Sequence, residues 1–406
     1  MKEEKQDVLV MNGGSSSIKF AVFRMSDPPQ RRLHGKVDRI GLLGTTLTFD
    51  DLDRHRQDSR GIGDFDHPSA AKFLIAWLDE QIGLASIAAV GHRVVNGGAH
   101  HKEPVRVTPE LLDELRRISA FAPEHLPAEI AIIDLLRERV PSLAQVACFD
   151  TAFHRNMPRV AKILPIPRHF QAQGVERYGF HGLSYSFLMD ELVRLGGGAL
   201  ASGRVILAHL GNGASLAAVR GGQCIDTSMG FTPAAGVPMS TRSGDLDQGL
   251  VWYLAQTAHM TAEQFHHMVN HQSGLLGVSE TSSDLRDLLV READDVRSAE
   301  AVALFCYQVK KFIGAFAAAL GGLDTLVFAG GIGENAPVIR SRICADLGFL
   351  GIQLDQNRNA SSEPVISAAT GRVAVRVIRT DEEVMIVQAV GHILDRTRTT
   401  HIQPEE

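Results

Sequence analysis

An α/β protein of two similar domains facing each other across a cleft is the fold this sequence predicts, and three observations predict it. Short apolar runs that read as buried strands alternate with longer amphipathic segments that read as helices. Polar residues capable of chemistry fall repeatedly just past the end of such a strand. The plan of the first half then recurs in the second, each half opening on a hairpin whose turn carries glycines and hydroxyls: NGGSSS at 12–17 and GNGAS at 211–215.

Taken in order, Asp7 to Met11 is an apolar strand running into NGGSSS and out again through Ile18 to Phe23. A polar stretch through Arg54–Ser59 follows, then helix-like sequence from Pro68 to Gln81 with Pro and Ser at its start. Ile87 to Gly91 reads as a buried strand leading into a glycine-bearing loop, HRVVNGG. Pro109–Ile118 and Pro127–Arg139 have helical periodicity, and Leu143–Phe149 is a buried strand ending on Asp150. After Arg204 the strands Val205–His209, Leu216–Val219 and Gln223–Asp226 repeat the opening pattern. Ala299–Leu320 then reads as a long apolar-rich helix, Thr325–Phe328 as a strand, and AGGIGEN as a turn entering a helix at Pro337.

The bulk numbers point to a small-molecule partner. The chain has 406 residues, 44% of them hydrophobic, enough for two or three domains with separate cores. With 22% charged residues and a formal net charge of −6, the balance does not suit a nucleic-acid partner. Cys148, Cys224, Cys306 and Cys344 are widely spaced and read as small core residues of a reducing compartment. The start, MKEEKQDVLVMNGG, lacks the apolar run of a signal peptide, and no stretch approaches the roughly 20 apolar residues of a membrane span. The expectation is a cytoplasmic protein with no membrane association.

Glycine-rich turns after strands suit a polyphosphate, because backbone N–H groups can approach the ligand where no side chain intervenes. NGGSSSIK brings Lys19 to such a turn, and HLGNGAS and GGIGEN repeat the ingredients. Neither a G-x-x-x-x-G-K-[ST] loop nor a G-x-G-x-x-G opening a helix is found. Arg93 in GHRVVNGG and Arg242 in MSTRSGD are candidate anion-binding residues in glycine-bearing loops. His125 in FAPEHLP, Asp150 in FDTAFH and His181 in RYGFHG are further polar candidates. His266, His267 and His271 raise the thought of zinc, but Met268 stands where H-E-x-x-H needs glutamate, and a solvated or capping role fits better.

Together these motifs resemble the acetate kinase family. NGGSSSIKF at 12–20, GHRVVNGG at 91–98, FDTAFH at 149–154, YGFHG at 178–182, HLGNGAS at 209–215, DTSMGFTP at 226–233, TRSGDLD at 241–247, SSDLRDL at 282–288, GIGEN at 331–335 and TDEE at 380–383 occur in the family's order across nearly the full chain. The resemblance implies the two-domain fold of actin, the sugar kinases and the heat-shock chaperone ATPases, with ATP in the cleft. The domains would be 1–152, rejoined by 386–406, and a nucleotide-binding and dimerisation domain at 153–385. It implies transfer of the ATP γ-phosphoryl group to acetate, giving acetyl phosphate, and the reverse reaction forming ATP from ADP.

Carried over by position, Asn12 and Glu382 would hold Mg²⁺ (or Mn²⁺) and Lys19 would lie by the nucleotide phosphates. His209, Leu210, Gly211, Asn212, Gly213, Asp284, Leu285, Arg286, Gly331, Ile332, Gly333, Glu334 and Asn335 match nucleotide-binding segments. Arg93 would meet the acid's carboxylate, with Val95, Phe180 and Pro233 around its acyl group. Asp150, His181, Arg242 and His125 would form the catalytic set, and a homodimer is implied. Glu124, Leu126, Leu183, Tyr185 and Glu280 depart from the family's usual residues.

This chemistry suits these residues. Phosphoryl transfer needs in-line placement and cationic stabilisation more than covalent help, and a carboxylate is already ionised at neutral pH, so no general base is required. Asp150 would then orient the nucleophile or a metal-bound water. Two other readings share these motifs: a kinase for propionate or another short-chain acid, and an ATP-hydrolysing conformational switch.

Overall fold

The computed structural model describes residues 6–14 and 16–400, the side chains of 397–400 excepted. Ser15 of the first glycine turn and the N-terminal residues Met1–Lys5 lie outside the described residues. The chain divides into two compact units, one formed by the residues up to Ala152 and from Asp381 onward, the other by Phe153–Thr380.

The first unit is built on an eight-stranded sheet of order β5-β4-β3-β2-β1-β6-β8-β7, from β1 (Asp7–Gly13), β2 (Ser17–Arg24), β3 (Gln30–Asp38), β4 (Thr45–Asp51), β5 (Arg56–Gly63), β6 (Ala89–Val94), β7 (Val105–Arg106) and β8 (Ala144–Phe149). Strands β1 to β5 form an antiparallel meander, and β6 and β8 continue it in parallel with β1. The parallel strands are buried along most of their length because both their faces are covered. On one face, Leu9, Met11, Ile18 and Phe20 pack with Leu74, Trp77 and Leu78 of the helix His67–Ile82, whose first turn is capped by Asp66 accepting from Ser69 N–H at 2.9 Å. Ile132 and Leu136 of the helix Leu126–Arg139 join that core. On β6, Gly91 lets the C-terminal helix Glu382–Thr400 lie flat, since a Cβ there would sit 2.3 Å from Ile386 Cγ2.

The second unit holds a five-stranded sheet of order β11-β10-β9-β12-β13, from β9 (Arg204–Leu210), β10 (Ala214–Arg220), β11 (Gln223–Thr227), β12 (Thr325–Ala329) and β13 (Ala374–Val377). Its pairings run antiparallel, antiparallel, parallel, parallel, the same succession as β3-β2-β1-β6-β8 in the first unit. Both halves therefore follow one plan, as the recurrent hairpin motif predicts.

Four sequence expectations are corrected. Arg93 lies on β6, paired with Cys148 of β8, and not in a loop: the strand runs past Gly91 to the β-branched Val94, which pairs with Phe149. The stretch between residues 30 and 63 forms three strands; β4 alternates buried and half-buried residues as a strand with one covered face does, whereas β5 buries none of its side chains. AGGIGEN is helical over Gly330–Asn335 before the helix Pro337–Cys344. The helix Val296–Leu320, 25 residues long, is long and apolar enough by length and composition to cross a membrane. Here it buries Phe305, Val309, Ile313 and Phe316 and packs against β9 and β10, the role of a core helix.

Candidate active site

In the first unit the candidate residues gather at the ends of the central strands. Asn12, next to last in β1, faces Lys19 of β2 across the antiparallel pair, so both side chains share one face of the sheet. Arg93, two strands over from Lys19, sends its guanidinium to three oxygens. Nε donates to both Asp150 oxygens at 3.1 Å, Nη2 donates to Asp150 Oδ2 at 2.5 Å, and Nη1 donates to Asn12 Oδ1 at 3.1 Å. A guanidinium has five N–H groups, so one on each terminal nitrogen remains for an anion. Asp150 itself is fully buried just beyond β8.

Glu382, at the start of the C-terminal helix, lies 3.9 Å from Arg93 Nε. These carboxylates raise the guanidinium's pKa against the opposing effect of burial, so Arg93 is a permanent cation. Asn12 and Glu382 thus flank Arg93 with hard oxygen atoms. That set fits Mg²⁺, which is commonly held by one or two protein oxygens with phosphate and water completing its shell.

Val95 is buried directly after β6, and His125 forms the N-cap position of the helix Leu126–Arg139. Glu124 is half-buried on the turn before it. One residue that sequence reasoning missed belongs here. Glu129 is 3% exposed, and its Oε2 accepts from Val95 N–H at 3.0 Å. Burial pushes its carboxyl up to about 8 while Arg93 and the Val95 N–H oppose the shift. The available signal was a glutamate on the apolar stripe of PAEIAII.

The second unit assembles a different set. His181 occupies the left-handed region at φ 59, an uncommon conformation for a residue with a Cβ, at the N-cap of the helix Gly182–Ser202. Its Nδ1 shares a 2.8 Å hydrogen bond with Ser215 Oγ, to which the Tyr185 hydroxyl is also bonded, and its ring stacks on His209 at 4.3 Å. A Cβ on Gly213 would sit 3.1 Å from His181 Nε2 and 3.8 Å from Arg242 Nη1, so His181, Arg242 and the GNG turn converge. Arg242 Nη1 donates to Pro233 O at 3.1 Å, and Ser240 N–H donates to Asn212 O at 3.2 Å, tying the loop before Arg242 to the same turn. Phe180 is buried and its carbonyl shares a 3.1 Å bond with His154 Nε2.

The GIGEN segment lies against the GNG turn: Gly211 is 3.8 Å from Gly331 N measured from an added Cβ, and Gly330 at φ 76 lies against Leu210 O. Glu334 Oε1 accepts from Gly330 N–H at 2.9 Å and from Thr380 N–H at 3.2 Å, and Asn335 Nδ2 donates to Gly331 O at 2.9 Å. Gly331 and Asn335 are exposed, Ile332 is half-buried and Gly333 is buried. His209 Nδ1 bonds Ser184 Oγ, which bonds Thr380 Oγ1, each at 2.8 Å; Ser184 and Thr380 are supporting residues sequence reasoning also missed. Asp284 caps the helix Leu285–Arg291 and forks onto the Arg286 guanidinium, whose side chain is 89% exposed, whereas Leu285 belongs to the core.

Comparison with known proteins gives one answer. Residues 7–388 match the sequence profile of the Acetokinase family. An acetate kinase of Rhodopseudomonas palustris is 43% identical over 396 residues, 96% of this chain and 99% of its own length. A propionate kinase of Citrobacter rodentium is 40% identical over 393 residues, 95% and 96% of the two chains. The crystal structure of Porphyromonas gingivalis acetate kinase superposes with a TM-score of 0.85 at 36% identity, covering 96% of this chain and 100% of that one.

Proposed function

Since the chain belongs to the acetokinase family, a family of phosphotransferases with a carboxyl acceptor and ATP as co-substrate, we propose that its acid is acetate and that its site residues act as follows. The observation that carries the reading is Arg93: a buried cation clamped by Asp150 and Asn12, with an N–H on each terminal nitrogen left for a small carboxylate. Asp150 fixes the guanidinium, and through it the direction of the attacking oxygen. Val95 supplies apolar surface to the acyl group, with Phe180 and Pro233 as further acyl contacts. Asn12 and Glu382 would hold Mg²⁺, which would neutralise phosphate charge, and Lys19 meets the nucleotide phosphates from β2.

In the second unit, His181 and Arg242 donate to the transferring phosphoryl oxygens, where developing charge rewards fixed donors. His181 is held for this by Ser215. His125 is a further member of the catalytic set. The turn His209–Gly213 and the segment Gly331–Asn335 present backbone to the nucleotide, and Asp284–Arg286 line its base or ribose. The attacking oxygen forms a bond to phosphorus as the bond to ADP breaks; the product is a mixed anhydride, so the reaction runs towards ATP as well. The buried, unpaired cysteines suit a cytoplasmic location.

Propionate is the second reading, favoured by the 40% identity to a propionate kinase. Hydroxamate trapping of acyl phosphate with Mg-ATP and acetate, propionate, butyrate or glycerol separates these acids. Arg93→Ala should lower kcat/KM for the preferred acid at least about 100-fold, the order expected for removing one charged contact to the reacting anion. ATP hydrolysis without acyl phosphate from any acid would favour a nucleotide-driven switch instead.

A further inference from the structure

Glu129 is a buried carboxyl of the first unit that the reaction above leaves unused, and it touches three of the elements that carry that unit's site. Its Oε2 accepts from Val95 N–H, at the end of the strand bearing Arg93. Its Cγ lies 3.7 Å from where a Cβ on Gly13 would stand, directly under the end of β1 that carries Asn12. Its own N–H donates to His125 O at 3.1 Å, closing the first turn of the helix that begins after that histidine.

We infer that Glu129 is a positioning residue for the acid site, fixing Val95 and hence the aim of Arg93, and that it rests in this place as an uncharged hydrogen-bond acceptor. The inference rests on the assignment of Arg93 to the acid's carboxylate. Two independent observations support the uncharged form. Oε1 is buried and has no hydrogen-bond partner among the described residues, a place where an ionised oxygen would go unsolvated. The groups acting on the carboxyl are Arg93 of β6 and Asp150 beyond β8, and Arg93 is already clamped by Asp150 with Glu382 beside it. A third full negative charge would compete with the substrate's own carboxylate for the same cation. With the acid neutral, Arg93 keeps its remaining N–H groups for substrate while Val95 stays tied.

A glutamine has the same shape, accepts the same N–H and carries no charge. Glu129→Gln should therefore leave kcat and the KM for ATP within about threefold of wild type near neutral pH, whereas Glu129→Leu should raise the KM for the acid about tenfold or more, leaving the KM for ATP unchanged. In wild type the acid's KM should climb between pH 7 and 9, and in Glu129→Gln that climb should be absent. A folded Leu variant with the wild-type acid KM would overturn the positioning role. Should the Leu variant fail to fold, the Gln variant decides: a climb matching that of wild type overturns the inference. Wild type that forms no acyl phosphate at all is a separate outcome, and it removes the premise about Arg93.

Discussion

His92 sits one residue before Arg93 and is 2% exposed, its ring Nε2–H donating to Gln145 Oε1 at 2.6 Å. Burial lowers its pKa from 6.5 to about 4, only partly opposed by that bond, and His154 in the second unit is lowered to about 4 for the same reason. An unfolded chain protonates both rings below 6.5 while the folded one keeps them neutral. Stability is thus fully present above about pH 6.5 and is lost progressively as the pH falls towards 4, by about 3 kcal/mol for each ring. Urea unfolding at pH 7 and pH 5 should show this loss, and His92→Gln should reduce it; an unchanged pH dependence in that variant would refute the assignment. At this scale the sequence was most readable where a residue's chemistry stands out against its neighbours, as with Arg93 and Asp150. Glu129 and His92 were opaque because their roles depend on burial and on partners 34 and 53 residues away, which no local pattern encodes.

Segments, not single side chains, explain why the glycine turns work. Gly330 holds φ 76 between β12 and the short helix Gly330–Asn335, and a Cβ there would lie 2.7 Å from Leu210 O, backbone that cannot move aside. Gly330→Ala combines a disfavoured conformation with a clash, together roughly 2 kcal/mol or more. It should lower the melting temperature and raise the KM for ATP at least about tenfold while leaving the KM for the acid near wild type; equal effects on both would place the turn away from the nucleotide. The hairpin motifs announced the β1–β2 and β9–β10 turns, since glycine and serine between two apolar runs admit few other readings. GGIGEN reads as a turn, because glycine disfavours helix in isolation. Here the Glu334 carboxylate accepting Gly330 N–H and the Asn335 side chain bonding Gly331 O close the short helix. β5 escaped notice because it buries none of its side chains, leaving its charged residues without an apolar alternation.

Across the whole molecule, the recurrence of one strand order in both units was legible from motifs alone, because the two hairpins that open them carry the same residue types. Quaternary structure was not. The helix Gly249–Thr257 has no buried residue although it reads GLVWYLAQT, with Trp252 72% and Tyr253 59% exposed. Apolar surface of this kind suits a second copy of the chain. Sedimentation should find a homodimer, and Trp252→Glu should shift it towards monomer at micromolar concentration; a variant as dimeric as wild type would place the interface elsewhere.

The path of the chain also sets an order on biosynthesis. Phe153–Thr380 is continuous and can close its core as soon as it leaves the ribosome, whereas the first unit must wait for Ile386 and Val390 to seal the groove that Gly91 leaves on β6. The sheet of the first unit is thus completed only after the second unit has been made.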